Sequence, residues 1–287
     1  MADITVIIGP TGVGKTELAL RMARETGAEI ISADAYQVYR GLDIGTAKVP
    51  QATIQEIPHH LIDILAPTEG YSVADFIARS SDVIAQLRAK NTPIIICGGT
   101  AFYIHAFLYG YSLSAPAAHS QIRDELNEKL AQIGPEALWA ELKSIDPTSA
   151  AAIHPNNHRR VIRALEIFHQ TQTPPSQHRS KKPAPRSDCK LIGVTRPRDQ
   201  LYAQINARVL AMIQAGLVAE VQSLLAQGIP PTAPAFSAIG YKEVIAHLTG
   251  GISYDEMINL VQQHTRNFAK RQLTWIKQFE HLDWYKP

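Results

Sequence analysis

Gly9-Pro10-Thr11-Gly12-Val13-Gly14-Lys15-Thr16 meets the G-x-x-x-x-G-K-[ST] phosphate-loop pattern in full. Gly12 and Gly14 let the backbone bend so that successive N–H groups converge on an anion, helped by the N-terminus of the helix that follows. Lys15 supplies a positive charge for a terminal phosphate, and the Thr16 hydroxyl is placed to ligate Mg²⁺. The flanks suit the motif. Ile4-Thr5-Val6-Ile7-Ile8 reads as a buried strand, and residues 15–26 read as a helix with Leu18 and Met22 on one face. A di- or triphosphate is the expected ligand.

What the phosphate does depends on the acids around it. A nucleotide-hydrolysing enzyme usually carries a second apolar strand ending in Asp, which holds the metal and orients water. Here the strand over residues 93–96 runs into Cys97-Gly98-Gly99-Thr100 with no carboxylate. The acids that follow apolar strands are Asp34, after residues 29–33, and Asp63, after His60-Leu61-Ile62. In an open α/β sheet the residues just past the strand C-termini line the ligand crevice, so Asp34 and Thr100 are expected to face the phosphate loop. This layout suits a transferase with phosphate as leaving group better than a hydrolase. Phosphate-loop kinases also place an Asp at the end of their second strand.

These residues need a scaffold, and the rest of the chain supplies one. Residues 1–114 alternate strand and helix, as a parallel sheet with crossover helices requires. Ser72-x-x-Asp75 has capping-box spacing before a helix over residues 73–90. From 115 to 186 the strand signals vanish, and helices are predicted over 121–133, 135–145, 147–153 and 157–169, with Pro135 and Pro147 in first turns. Residues 173–186 hold four prolines and five Lys, Arg or His residues and read as an extended, solvated linker. A strand returns at Leu191-Ile192-Gly193-Val194, followed by long helices over 198–227 and 253–279. The expected architecture is a P-loop NTPase-like α/β parallel sheet flanked by helices (1–114 and 187–287), with an all-helical insertion domain at 115–186.

With 287 residues, 45% of them hydrophobic and 19% charged, the chain can bury a sizeable core. It has no run of ~18 apolar residues and opens straight into a strand, so a soluble cytoplasmic protein without membrane contact is expected. Cys97 and Cys189 stand far apart without a Cys-x-x-Cys companion, which favours a reducing compartment over a zinc site. His59 and His60 are adjacent on a strand and so point to opposite faces, which disfavours joint metal ligation. The formal charge is only +2, but the cations cluster. One group is Arg266, Lys270, Arg271 and Lys277, with no acid among them; a second is His158, Arg159, Arg160 and Arg163; a third is His178, Arg179, Lys181, Lys182 and Arg186. Three such groups in a chain of nearly balanced charge point to a polyanion larger than one nucleotide.

The motifs resemble those of the tRNA dimethylallyltransferases. After the phosphate loop come Ser32-Ala33-Asp34-Ala35-Tyr36-Gln37-Val38-Tyr39, Gly41-Leu42-Asp43-Ile44-Gly45-Thr46-Ala47-Lys48 and Ile57-Pro58-His59-His60-Leu61-Ile62-Asp63. Gly98-Gly99-Thr100-Ala101-Phe102-Tyr103, Arg163-Ala164-Leu165-Glu166, Gly240-Tyr241-Lys242-Glu243 and Lys270-Arg271-Gln272-Leu273-Thr274-Trp275 continue the series. The likeness covers nearly the whole chain in order. It implies transfer of a dimethylallyl group from dimethylallyl diphosphate to N6 of adenosine 37 in tRNA, with Mg²⁺ as cofactor; nothing in the sequence demands more than a monomer. On that reading the phosphate loop, residues Gly9 to Thr16, holds a prenyl diphosphate, and Asp34 is the base that sharpens the adenine amine. Thr100 donates to the bridging oxygen or orients the amine. As a rival role, Thr100 would cap the helix that it precedes.

The same resemblance assigns tRNA contacts to Asp34, Ala35, Tyr36, Gln37, Thr100, Arg123, Arg159, Arg160, Arg163, Lys242, Lys270, Arg271 and Lys277. The insertion would clasp the anticodon stem-loop from one side and the C-terminal helix from the other. Trp275 would stack on RNA or anchor its helix to the core. One departure stands out: many relatives carry an Arg before Gly-Tyr, where this chain has Ser237. Lys242, Arg266 and Lys270 are the candidate replacements. Three other readings share some features: a small-molecule or nucleotide kinase, a prenyltransferase acting on free AMP, and a non-catalytic RNA-binding regulator.

Overall fold

Apolar runs separated by amphipathic helices force crossover connections, and crossovers make parallel strands. In the structure, a computed structural model describing residues 4–110, 120–178, 184–279 and 281–287, β1 (Ile4–Ile8) leads through the phosphate loop into α1 (Lys15–Thr26). Next come β2 (Glu29–Ser32), α2 (Gln51–Glu56), β3 (His59–His60), α3 (Val73–Ala89), β4 (Ile94–Gly98) and α4 (Ala101–Tyr109). The helices α5 (Ser120–Ile145), α6 (Pro147–Ala151) and α7 (His158–Thr171) precede β5 (Cys189–Val194). The chain closes with α8 (Arg198–Gln214), α9 (Leu217–Ala226), α10 (Tyr241–Leu248), α11 (Tyr254–Ile276) and β6 (Asp283–Tyr285).

All six strands run parallel in the order β3-β2-β4-β1-β5-β6. Placing β4 between β1 and β2 matters most for the site. The register sets Ile8 opposite Gly98 and Ser32 opposite Cys97, so the phosphate loop, the Gly98-Gly99 turn and Asp34 leave the sheet side by side. Beneath them Ile7, Val13, Leu18, Ile30, Ile95 and Ile205 form one apolar cluster. A second cluster joins Val38, Leu42, Val221, Phe236, Tyr241 and Met257. The chain divides into two compact units, Met1–Leu108 with Arg186–Pro287, and Tyr109–Pro185. Within the second, Leu126, Leu138, Leu142, Val161 and Leu165 make a separate helical core.

Several elements differ from the sequence expectation. The strand expected through Ile62 stops at His60, because Leu61 and Asp63 take left-handed φ of 63° and 56°. The helix expected over 198–227 breaks at Ala215–Gly216, where Gly216 has φ 100° and starts α9. As expected, the helices over 121–133 and 135–145 part at Gly134 (φ 79°), within α5, and Pro135 opens the second. Part of the predicted linker is ordered: Pro175–His178 form a 3-10 turn, with the His178 ring 3.2 Å from the Thr171 hydroxyl. Arg186, expected in that linker, pairs with Asp188 at 2.8 Å and lies over the Phe107 ring. Arg179, Lys181, Lys182 and the expected boundary at 114/115 lie outside the described residues. The Ser72–Asp75 capping box is present in both directions.

Candidate active site

Gly14 caps α1 with φ 103°, a conformation that side chains with a Cβ rarely adopt, and buried Val13 anchors the loop beneath it. Lys15 folds across the loop, its Nζ donating to the Pro10 carbonyl at 2.8 Å. Burial lowers its pKa to about 8; neighbouring Arg208 pushes the same way and Asp34 opposes. Thr16 follows in the first turn of α1 and opens on the same cavity. Mg²⁺ often keeps several waters and takes one or two protein oxygens beside substrate phosphates, so a lone hydroxyl beside a phosphate site fits that ion. Among the described residues, no group of three His, Cys, Asp or Glu side chains could hold a metal by itself.

Asp34 enters the cavity from the end of β2. Its Oδ1 accepts from the Tyr36 and Gln37 backbone N–H groups at 2.9 and 3.3 Å, an Asx-type turn. No hydrogen bond engages Oδ2 among the described residues. One oxygen is therefore structural and the other is available to a ligand. Gln37 accepts from the Ser32 hydroxyl at 2.9 Å and donates to Thr46 O at 3.2 Å. Thr100 does not cap the following helix through its side chain. Its Oγ1 accepts from Ala35 N–H at 3.1 Å, so it braces the Asp34 turn, while its backbone carbonyl, not its hydroxyl, receives the first helical N–H groups. Tyr36 packs against the second apolar cluster.

The Gly41–Lys48 motif forms another wall through Thr46 and Ala47. Glu220 holds this loop by accepting Asp43 and Ile44 N–H at 3.0 and 2.7 Å, and the Tyr241 hydroxyl donates to Glu220 at 2.6 Å. Lys48 is pinned between Asp43 (2.7 Å), Asp63 and the Tyr39 carbonyl (2.6 Å). Asp63 is thus structural. His59 lines the cavity with Nδ1 on the Ile57 carbonyl at 2.7 Å, and burial lowers its pKa. His60 points elsewhere, to Glu29 at 2.6 Å. Cys97 also lines the cavity, its thiol pushed up to about 11 by burial, so it stays protonated at neutral pH.

The arrangement can hold a polyphosphate at one end and activate a nucleophile at the other. The IPP transferase family model matches residues 37–279. The chain belongs to the IPP transferase family. It is 43% identical over 282 residues to the tRNA dimethylallyltransferase of Symbiobacterium thermophilum, covering 98% of this chain and 88% of that one. It is 47% identical over 275 residues to that of an Exiguobacterium species, with 96% and 87% covered. The crystal structure of a tRNA isopentenylpyrophosphate transferase from Bacillus halodurans aligns at TM-score 0.72 and 39% identity, over 100% of this chain and 90% of that one. A eukaryotic dimethylallyltransferase acting on tRNA aligns at TM-score 0.84 and 26% identity, covering 100% and 74%.

Two site residues of this IPP transferase escaped sequence reasoning. Arg208 on α8 lines the cavity beside Lys15 and Asp34 and also a second cavity on the outer side of the phosphate loop, with Arg21 and Arg196. Lys242, Arg266 and Lys270, the nominated replacements for the Arg missing at Ser237, line neither; Arg266 bonds Asn206 at 2.6 Å. Gln272 on α11 is 4% exposed and joins two loops: its Oε1 accepts from Thr11 N–H and its Nε2 donates to Gly99 O, both at 2.8 Å. Both residues left a readable signal. Arg208 adjoins the buried stripe Leu201, Ile205, Val209, and Gln272 lies in the stripe Ala269, Gln272, Ile276. A polar residue on an apolar face has a partner or a task.

The cations expected on RNA separate into two kinds. Arg159 and Arg160 are exposed on α7, as are Lys270, Arg271 and Lys277 on and just past α11. Lys242 is exposed, its amine 3.9 Å from Glu243. Arg123 and Arg163 instead sit 2.9 and 3.1 Å from Glu166, whose carboxylate is fully buried in the helical unit. Their charge offsets a buried acid there.

Proposed function

We propose that the protein transfers a dimethylallyl group from dimethylallyl diphosphate to N6 of adenosine 37 in tRNA, releasing diphosphate. The observation that carries this reading is one cavity shared by Lys15 and Thr16 at one wall and Asp34 at another, with β4 ending in Cys97-Gly98 and no carboxylate between them. A water-orienting acid is not needed when bonds change at carbon. The names of the family relatives support both the substrate and the reaction.

In this reading the loop N–H groups, Lys15 and Arg208 bind the diphosphate and stabilise charge on its departing oxygen. Mg²⁺ bound at Thr16 would neutralise the same oxygens. The N6 lone pair attacks C1 of the dimethylallyl group as the C1–O bond breaks, and the proton on N6 passes to Asp34 Oδ2. An adenine amine is a weak nucleophile, because its lone pair is delocalised into the ring. A positioned carboxylate contributes on the order of 10²–10⁴ in rate. The turn that occupies Oδ1 fixes the aim of Oδ2. Arg159, Arg160, Lys270, Arg271 and Lys277 supply phosphate contacts to tRNA. The two thiols without a disulfide suit a cytoplasmic setting, and we expect the protein to act as a monomer.

Incubation with labelled dimethylallyl diphosphate and either unmodified tRNA, AMP or ATP tests the proposal. Label in tRNA alone is expected. Label in AMP, or ATP turnover without label transfer, refutes it.

A further inference from the structure

Phe102 stands two residues past Thr100, in the first turn of α4, with 41% of its surface exposed. A lone exposed ring is ordinary on a protein surface. This one is not alone. It packs on Trp275 of α11, ring centroids 5.8 Å apart and planes tilted by 60°. Trp275 is backed in turn by His105 at 6.0 Å, which is buried and meets Phe279 edge-on at 5.1 Å. The base of the Phe102 ring is thus rigidly supported while its remaining surface faces water.

The surroundings say what such a surface would meet. Arg271 lies four residues before Trp275, hence on the same side of α11, and is exposed; Lys270 and Lys277 are exposed on neighbouring positions. No acid occurs between Arg266 and Lys277. The Gln272 bond to Gly99 O fixes this helix beside the Gly99–Phe102 segment, and Thr100 braces the Asp34 turn. An aromatic ring with cations on the neighbouring helix, two residues past the Thr100 that braces the turn of the candidate base, is the combination by which proteins hold unpaired nucleotides. The ring replaces lost base stacking and the cations take the phosphates.

We propose that Phe102, supported by Trp275, is a stacking platform for an unpaired anticodon-loop base adjacent to the target adenosine, with Arg271 on the neighbouring phosphate. This rests on tRNA being the substrate. It makes Phe102 a positioning residue for the acceptor: it holds the loop open so that the target base reaches Asp34. Every base has a π-face, so the platform confers affinity without choosing base identity.

The test uses the full chain with an anticodon stem-loop carrying 2-aminopurine beside the target adenosine, together with steady-state kinetics on tRNA. Phe102→Ala is expected to raise KM for tRNA about 5- to 150-fold, the range for losing one base–aromatic stack. KM for the prenyl donor and the salt dependence of tRNA binding stay as in the wild type, because no phosphate contact is removed. The 2-aminopurine signal that changes on binding to the wild type is lost in Phe102→Ala, and Phe102→Trp restores both signal and KM. If wild-type enzyme prenylates tRNA and Phe102→Ala does so with an unchanged KM, the platform is refuted while the function stands. A raised KM that Phe102→Trp does not rescue also refutes it, because the ring would then serve packing alone. Failure of the wild type to prenylate tRNA sinks the function reading itself.

Discussion

Gln272→Met is the sharpest probe of how the site is held together. Met keeps the volume and the apolar stem but can neither accept from Thr11 N–H nor donate to Gly99 O, both now satisfied at 2.8 Å. An unpaired buried backbone group costs about 1–3 kcal/mol. Thr11 and Gly99 both border the cavity, where water offsets part of that cost, so the two losses should sum to about 2 kcal/mol. For a chain of this size that lowers Tm by roughly 4–8 °C. Gln272→Glu separates stability from chemistry. Its carboxylate still accepts from Thr11 but faces the Gly99 carbonyl with a second acceptor, and it brings a negative charge towards the diphosphate. Thermal unfolding with steady-state kinetics in the prenyl donor measures both effects. Gln272→Glu should raise donor KM at least about tenfold beyond Gln272→Met, because one like charge near a phosphate site costs on the order of 1.4 kcal/mol or more. A Gln272→Met enzyme with wild-type Tm and donor KM would show that the bridge holds nothing.

Three further outcomes are expected. The Lys15 pKa is depressed to about 8, so its ammonium is present below that pH and lost as pH rises through it; kcat/KM for the donor should fall about tenfold by pH 9, and Lys15→Arg should erase that limb. Asp34→Asn keeps an oxygen for the Tyr36–Gln37 turn but removes the base, so kcat should drop by about 10²–10⁴ with tRNA affinity little changed; equal losses in both would contradict the assignment. Arg159→Ala with Arg160→Ala should weaken tRNA binding and flatten its salt dependence without lowering Tm, whereas Arg163→Ala should destabilise the helical unit by exposing the cost of buried Glu166. An Arg163→Ala protein with unchanged Tm would overturn the second half.

Much of this was legible in one dimension. The phosphate loop is local: a few glycines, one lysine and one hydroxyl act through adjacent backbone, so spacing alone predicts their geometry. The alternation of apolar runs and helices predicted a parallel sheet, and the absence of strand signals predicted the helical segment. Reading stopped short where a residue's partner is remote. The Glu166 carboxylate, from Arg163-Ala164-Leu165-Glu166, takes up charge from two arginines read as RNA contacts. Thr100 turned out to serve Ala35, sixty-five residues away in sequence.

Sequence by itself determined that this chain carries a phosphate-loop motif near its N-terminus, offers an acid at the end of its second strand and belongs among prenyl-transferring relatives. Only the folded chain decided which cation joins Lys15, which polar group closes the phosphate loop onto its neighbour, and which arginines are already engaged. The physical reason is range. Backbone bending and strand periodicity are set by neighbours along the chain, whereas charge pairing and burial are set by strand order. Inserting β4 between β1 and β2 brings Gly99 and Asp34 to the phosphate loop, and packing sets Arg208 and Gln272 against them.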